Sequence, residues 1–344
     1  MRILVVNLLY LGDLLFSTPA LRVLYNACPG AEIDMLVNRV ACQIVQHNPL
    51  LHKVYPIDAP KRTGSLSVFL ENMKLLRNRG YDMAICLHYD NERATIITAF
   101  SGAKKRGGFA KPGMQFLYNG PSVTYLPAGH TVEQNLHVLH KFGVPDAPHN
   151  NLEMWPGDEG QAAADRLWQE AGLAGNDKVV GLNPGASFPT KLWTVEGFAK
   201  ISDMLILDGY TPVLFGGPMD VERAAAISAL TIHPPISFAG KVNLLGLVAL
   251  IKKCATFISS DTGPMHIAAA QQRPVVALYG PTKADLFGPY GTEHVVITSD
   301  LPCLRCEKRK CDDVKCMAAI TPEMVYQGFQ QLQQTTAQRG NICA

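Results

Sequence analysis

The 344-residue sequence has no run approaching the 18 or so apolar residues of a membrane-crossing helix, so no segment is expected to span a bilayer. It carries neither G-x-G-x-x-G after a strand nor G-x-x-x-x-G-K-[ST], which excludes the common dinucleotide fingerprint and the P-loop. A D-x-D pair that would hold a divalent metal on a diphosphate is also missing. Charge is scarce: 17% Asp, Glu, Lys and Arg and a formal net charge of +2 fall well short of a nucleic-acid binder. MRILVVNLLYLGDLLF is expected to form a first strand and loop rather than a cleavable leader, because Asn7 and Asp13 interrupt its apolar run and no small-residue cleavage site follows. With nine cysteines, an odd number, the expectation is a reducing, cytosolic compartment.

What is present is a core-former. Hydrophobic residues make up 47%, and the length suits two domains of ordinary size. Residues 1–157 hold 15 Lys/Arg against 11 Asp/Glu and residues 158–344 hold 16 against 18, so the first half is mildly basic. That bias suits a phosphorylated or membrane-surface substrate.

Apolar runs at Ile3–Leu8, Glu32–Val37, Lys53–Ile57, Asp82–Leu87 and Lys104–Gly108 alternate with helical stretches at Leu14–Ala27, Ala41–Gln46, Ser67–Arg79 and Glu92–Phe100. This alternation predicts an α/β domain with a doubly wound parallel sheet. A helix at Val132–Phe142 and the Pro/Asn-rich stretch 144–151 close it. The pattern restarts with helix Gln161–Ala171, strand Lys178–Leu182, helix Val195–Asp208 capped by Thr194, strand Pro212–Phe215, helix Val221–Leu230 capped by Asp220, and a helix capped by Asn243. Strands in ATFISS (255–260) and QQRPVVALYGPT (271–282) flank Asp261-Thr262-Gly263-Pro264, with Pro264 expected at the first helical position. Two consecutive Rossmann-like domains are therefore expected, 1–157 and 158–344, with a ligand cleft between the carboxyl ends of their sheets.

Loops at strand carboxyl ends carry the candidate chemistry. They are Gly12-Asp13, Asn183–Lys191, Gly216–Glu222, Asp261–His266 and Gly280–Thr282. Gly-rich backbone, the hydroxyls of Ser187, Thr190 and Thr262, the Lys191 cation and the acids Glu222 and Asp261 suit a diphosphate flanked by a sugar or ribose. The helix start at Thr262-Gly263 offers backbone donors to an anion. Asp13 reads either as a helix N-cap or as a general base facing the cleft. Lys104, Lys105, Arg106 and Lys111, beside the apolar Phe109, Met114 and Phe116, suit either a lipid headgroup layer or packing on the domain.

NLLYLGDLLFSTPALRVL, NPGASFPTKLW, FGGPMDVERA and SSDTGPMHIAAA…PVVALYGPT, in this order, resemble the ADP-heptose:lipopolysaccharide heptosyltransferases, glycosyltransferase family 9. The resemblance covers nearly the whole chain. It implies a GT-B fold, with the acceptor held mainly by the first Rossmann-like domain and the nucleotide-sugar by the second, and a last helix able to pack back on the first. It further implies metal-free inversion at the anomeric carbon and a peripheral, monomeric protein at the cytoplasmic face of the inner membrane. The donor so implied is ADP-L-glycero-D-manno-heptose and the acceptor a Kdo or heptose hydroxyl of a lipopolysaccharide precursor of the Kdo-lipid A type; nucleic acid has no part. By the same resemblance Asp13 is the general base; from their own position and charge Gly12, Lys104, Lys105, Arg106 and Lys111 are expected on the acceptor and membrane side. Lys191 acts on the donor diphosphate. Ser187, Thr190, Gly216, Gly217, Thr262 and Gly263 line the donor, Glu222 lies near its ribose and Asp261 meets the heptose hydroxyls, while His266 reads either as a donor contact or as a packed or capping histidine. With the base some 250 residues before the donor loop, the reaction is expected to need closure of the two domains.

No cofactor is expected for the chemistry. Cys303, Cys306, Cys311 and Cys316, spaced C-x2-C-x4-C-x4-C, read as a structural zinc knuckle, as packing thiols or as disulfides, and the run Glu307–Lys310 inside them as a solvated charge run. Two other enzyme readings share the expected fold: a family 9 transferase with a different donor, and a nucleotide-sugar epimerase, which needs no lipid acceptor. A sugar-nucleotide-binding subunit without catalysis is the non-enzymatic one, and retention of Asp13 argues against it.

Overall fold

Strand β1 (Arg2–Asn7) is buried from Ile3 onward on both faces, as a strand covered by helices on each side must be, and so its sequence shows a continuous apolar run rather than alternation. The computed structural model describes residues 1–58, 66–126, 128–145 and 151–342. Most of the Pro/Asn-rich stretch at 144–151 lies outside the described residues. The chain divides into two compact units, Met1–Met154 and Trp155–Ala344.

In the first unit β1 is joined by β2 (Glu32–Asn38), β3 (Lys53–Ile57), β4 (Met83–Cys86), β5 (Lys105–Phe109) and β6 (Ser122–Val123) in the order β3-β2-β1-β4-β5-β6, every pair parallel. The connecting helices are α1 (Leu11–Leu15), α2 (Thr18–Ala27), α3 (Leu66–Arg79), α4 (Glu92–Phe100) and α5 (Thr131–Lys141). The expected helix Leu14–Ala27 is in fact two. Ser17 and Thr18 turn their hydroxyls back onto the carbonyls of Leu14 (2.6 Å) and Leu15 (2.7 Å), and Pro19 follows, so the chain re-enters a helix only at Thr18. The segment Arg39–Ile44 is a 3-10 helix capped by Asn38 rather than an α-helix.

The second unit begins with α6 (Gly157–Glu170). Its strands β7 (Val179–Asn183), β8 (Thr211–Leu214), β9 (Ile236–Ser237), β10 (Thr256–Ser260), β11 (Val275–Tyr279) and β12 (His294–Thr298) form an all-parallel sheet ordered β12-β11-β10-β7-β8-β9. Read from the other edge, this is the first unit's order. Its helices are α7 (Val195–Leu207), α8 (Val221–Leu230), α9 (Leu244–Lys252), α10 (Gly263–Ala270), the short α11 (Ala284–Phe287) and α12 (Lys315–Ala318), and α13 (Pro322–Ile342), which packs on α7, β11 and β12. Thr194 and Asn243 cap α7 and α9 as expected, through side-chain bonds to Gly197 and Gly246 N–H. Trp193, Phe198, Ile201, Leu205 and Ile258 lie fully buried in the core of this unit, each worth ~1.5–3 kcal/mol on burial. Gly181 on β7 admits no side chain, because a Cβ would stand 2.4 Å from the Phe257 ring.

Both strand orders reverse direction once, between β1 and β4 and between β7 and β10. Ligands of open α/β sheets collect at the carboxyl ends of the strands flanking such a reversal. Those ends are Leu8–Asp13 with His88 in the first unit, and Asn183–Lys191 with Asp261–His266 in the second. Among the described residues, no helix is long and apolar enough to cross a membrane.

Candidate active site

In the second unit β7 and β10 end side by side, and their loops are bonded together. Asn183 donates to the Gly185 carbonyl at 3.1 Å and to Ser259 Oγ at 3.2 Å. The loop after Asn183 closes in a 3-10 turn, Pro189–Lys191, against the fully buried Trp193, whose indole donates to Ile320 O at 2.8 Å. This anchor fixes where Lys191 stands. Its ammonium donates to Asp261 Oδ2 at 2.6 Å, both groups being largely removed from solvent.

Burial alone would raise the Asp261 pKa; His266, 3.8 Å from Oδ1, and Lys191 outweigh it and hold the carboxyl at about 2. Tyr279 lies 3.5 Å from the same Oδ1 and donates to Phe287 O at 2.6 Å, and burial holds its phenol protonated. Asp261 is thus a carboxylate ionised at neutral pH, with a cation on one oxygen and a histidine near the other.

Helix α10 starts directly after it. Gly263 is the first helical residue and Pro264 the second, one position later than expected, and the Thr262 hydroxyl makes no cap bond. Asp220 was expected to cap α8. Its carboxylate instead accepts the Gly217 N–H at 2.8 Å and fills the space beside Gly185 and Gly216, where a Cβ would stand 2.4 Å and 2.6 Å from its atoms. Gly185 of NPGAS and Gly216 of FGGPM are therefore required by one acid packed against both loops. Glu222, on the first turn of α8, and Ser187 are exposed. Thr190 is buried, and its hydroxyl donates to Lys308 O at 3.0 Å, so that donor is committed within the protein.

Arg223 escapes a search confined to loop residues because it lies inside a helix. Its Nε donates to Pro184 O at 3.0 Å and Nη2 to Trp193 O, bracing both ends of the Lys191 loop. Burial pulls its pKa down.

In the first unit Asp13 is not an N-cap. Tyr10 holds that position, and Gly12 and Asp13 are the second and third residues of α1, half-buried above Leu14 and Leu15. Around it stands a group the sequence did not point to. His88, beyond β4, accepts the Leu8 N–H on Nδ1 at 3.2 Å, and burial lowers its pKa to about 4. Tyr89 stacks on Tyr125 with centroids 4.0 Å apart; burial and the Asp13 charge raise its pKa.

The basic residues expected together on the acceptor and membrane side do not form one surface. Lys104 binds Asp82 at 2.7 Å, and Lys105 and Arg106 open β5, all at the amino end of the sheet, where the Arg2 N–H also meets Asp82. Only Lys111, paired with Asp90 at 2.7 Å, stands at the carboxyl end. The reason is the strand itself, which separates Arg106 from Lys111 by nearly its full length.

Among the described residues no three His, Cys, Asp or Glu side chains gather as a metal site. Cys303, Cys306 and Cys311 are exposed free thiols, whereas Cys316 is buried against Gly280, where a Cβ would meet its Sγ at 2.9 Å. The charge run Glu307–Lys310 is also more than solvated, since Glu307 pairs with Lys283 at 3.1 Å and the Arg309 guanidinium lies 4.9 Å from the Phe188 centroid.

Residues 70–317 match the family described as Glycosyltransferase family 9 (heptosyltransferase). The chain belongs to that family. Lipopolysaccharide heptosyltransferase 2 of Escherichia coli K12 is 30% identical over 313 residues, 86% of this chain and 88% of the relative. Lipopolysaccharide heptosyltransferase 3 of Escherichia coli is 30% identical over 294 residues, 83% and 85%. A solved glycosyl transferase family 9 structure from Veillonella parvula has TM-score 0.86 at 29% identity and covers 96% of both chains. The family 9 chain is a glycosyltransferase of the GT-B fold class, built from two Rossmann-like units. Its matched span contains Lys191, Glu222 and Asp261, while Asp13 precedes it.

Proposed function

We propose that this transferase moves heptose from ADP-L-glycero-D-manno-heptose to a Kdo or heptose hydroxyl of the lipopolysaccharide inner core, inverting the anomeric carbon and using no metal. The observation that carries the donor half is the Lys191–Asp261 pair at the β7/β10 reversal, against the start of α10. An ammonium has three donors and Asp261 takes one, so two remain for diphosphate oxygens. Thr262 and Gly263 add backbone N–H groups and the positive end of the α10 dipole. Asp261 is the ionised acceptor for sugar hydroxyls, and Glu222 serves the ribose.

The second unit thus holds the donor and the first the acceptor. Asp13 takes the proton of the attacking hydroxyl as oxygen bonds to the anomeric carbon and the bond to the diphosphate breaks, releasing ADP. Charge on the leaving group is met by Lys191 and the helix start. In this reading the protein works as a peripheral monomer at the cytoplasmic face of the inner membrane. The exposed Phe116, together with Lys111, supports contact with headgroups.

The test is incubation with a panel of ADP- and UDP-sugars, each with Kdo-lipid A or a heptosylated acceptor, with and without EDTA. Heptosylated product from ADP-heptose, undiminished in EDTA, is expected. Transfer from another donor overturns the heptose assignment, sugar interconversion without acceptor overturns transfer, and magnesium-restored activity overturns the metal-free step.

A further inference from the structure

The Lys191–Asp261 pair raises a problem of charge. A nucleoside diphosphate brings two or three negative charges, yet the cation assigned to it already neutralises a buried carboxylate. A further cation at the same place would add to what Lys191 and the start of α10 supply.

The cysteine-bearing loop provides one. After β12 the chain returns to the carboxyl end of the sheet, where Arg305 N–H bonds Gly280 O at 3.0 Å and Glu307 N–H bonds Pro281 O at 2.7 Å, just beyond β11. Both residues adopt left-handed backbone, φ 59° and 57°, a conformation that costs a non-glycine residue energy and persists only where surroundings enforce it. Lys283–Glu307 and the Thr190 hydroxyl on Lys308 O complete the clamp. The next residue is Arg309, whose guanidinium lies 4.9 Å from the centroid of Phe188, while Lys191 Nζ lies 6.0 Å from the same centroid. Phe188 is thus shared by two cations, one paired with a carboxylate and one with no carboxylate partner among the described ion pairs.

We propose that Arg309 is a diphosphate-binding residue of the donor site, held over Phe188 by the strained 305–307 turn. Stacking on the ring fixes the guanidinium plane and leaves its forked donors for phosphate oxygens. This deepens the reading of the second unit as the donor site and rests on it.

The experiment is calorimetric titration of the full-length protein with ADP and with adenosine, for wild type, Arg309→Gln, Arg309→Lys and Lys310→Gln. Wild type is expected to bind ADP; failure to do so sinks the donor-site reading itself. Arg309→Gln is expected to weaken ADP by about tenfold and leave adenosine unchanged. Arg309→Lys should fall between, keeping charge but not the fork. Lys310→Gln, one residue on and outside the clamp, should bind as wild type. Unchanged ADP affinity in Arg309→Gln overturns the proposal while the donor site stands. So does equal loss of ADP and adenosine, which marks a purely structural role, and so does a loss in Lys310→Gln as large as in Arg309→Gln.

Discussion

Lys191 and Asp261 stand 2.6 Å apart at the ends of two adjacent loops, one side chain 21% exposed and the other 7%. Removing the cation leaves a buried carboxylate uncompensated, a situation that costs about 3 kcal/mol. Lys191→Met should therefore lose stability as well as transfer, and Lys191→Met/Asp261→Asn should recover most of the stability and none of the transfer. The pH dependence follows from the direction of the shift. A carboxyl held near 2 against an ordinary 3.8 stabilises the fold above about pH 4, and that stabilisation is lost as pH falls through 2. In Lys191→Met acid unfolding followed by circular dichroism should begin at higher pH. An unmoved acid midpoint would show that His266 alone sustains the charge.

Asp13 is the third residue of a five-residue helix whose cap is made without it. Its contribution to stability is that of an acid in a first turn, about 0.3–1 kcal/mol. Asp13→Asn should accordingly fold and bind ADP-heptose like wild type while transfer drops by a factor on the order of 10²–10⁴. Parallel loss of donor affinity would remove Asp13 from the acceptor side.

Most of the strand and helix plan was legible because it is local. Caps at Thr194 and Asn243 and fully buried strands such as β7 leave marks within a few residues. The same is true of the segments holding Asp13, Lys191 and Asp261, which topology places at strand ends. Three things were not legible. The α1/α2 break depends on hydroxyls turning back on the preceding turn, which Ser and Thr do only in some helices. The dispersal of Lys104–Arg106 and Lys111 follows from strand direction, whereas in sequence they are near neighbours. Arg223 reaches Pro184 across 39 residues of chain, His88 reaches Leu8 across 80, and the loop that carries Arg309 is tied down by the Thr190–Lys308 bond across 118; no spacing rule carries such contacts.

His88 is a buried neutral imidazole whose Nδ1 accepts from Leu8, so the proton sits on Nε2. With its pKa lowered from 6.5 to about 4 by burial, the unfolded chain binds the proton first. Stability is complete above pH 6.5 and declines as pH falls toward 4, by at most ~3 kcal/mol. His88→Asn, whose amide oxygen can accept from Leu8, should flatten urea-unfolding free energies over this range. A slope as steep as that of wild type would assign the acid sensitivity to other groups.

Arg223 joins Pro184 O and Trp193 O, the two ends of the loop that presents Lys191. A lysine has one charged nitrogen and cannot span both carbonyls, so Arg223→Lys should keep the charge and lose the brace. Freeing a half-buried carbonyl costs about 1–3 kcal/mol. That penalty should appear as a lower Tm in both Arg223→Lys and Arg223→Ala. Because the loop then samples positions that no longer hold Lys191 against Asp261, KM for the donor should rise by about tenfold in both variants, with KM for the acceptor unchanged. Equal rises for the two substrates would point to general loosening of the second unit. Rescue of the donor KM in Arg223→Lys alone would mean that charge near the diphosphate, rather than loop geometry, is what Arg223 supplies.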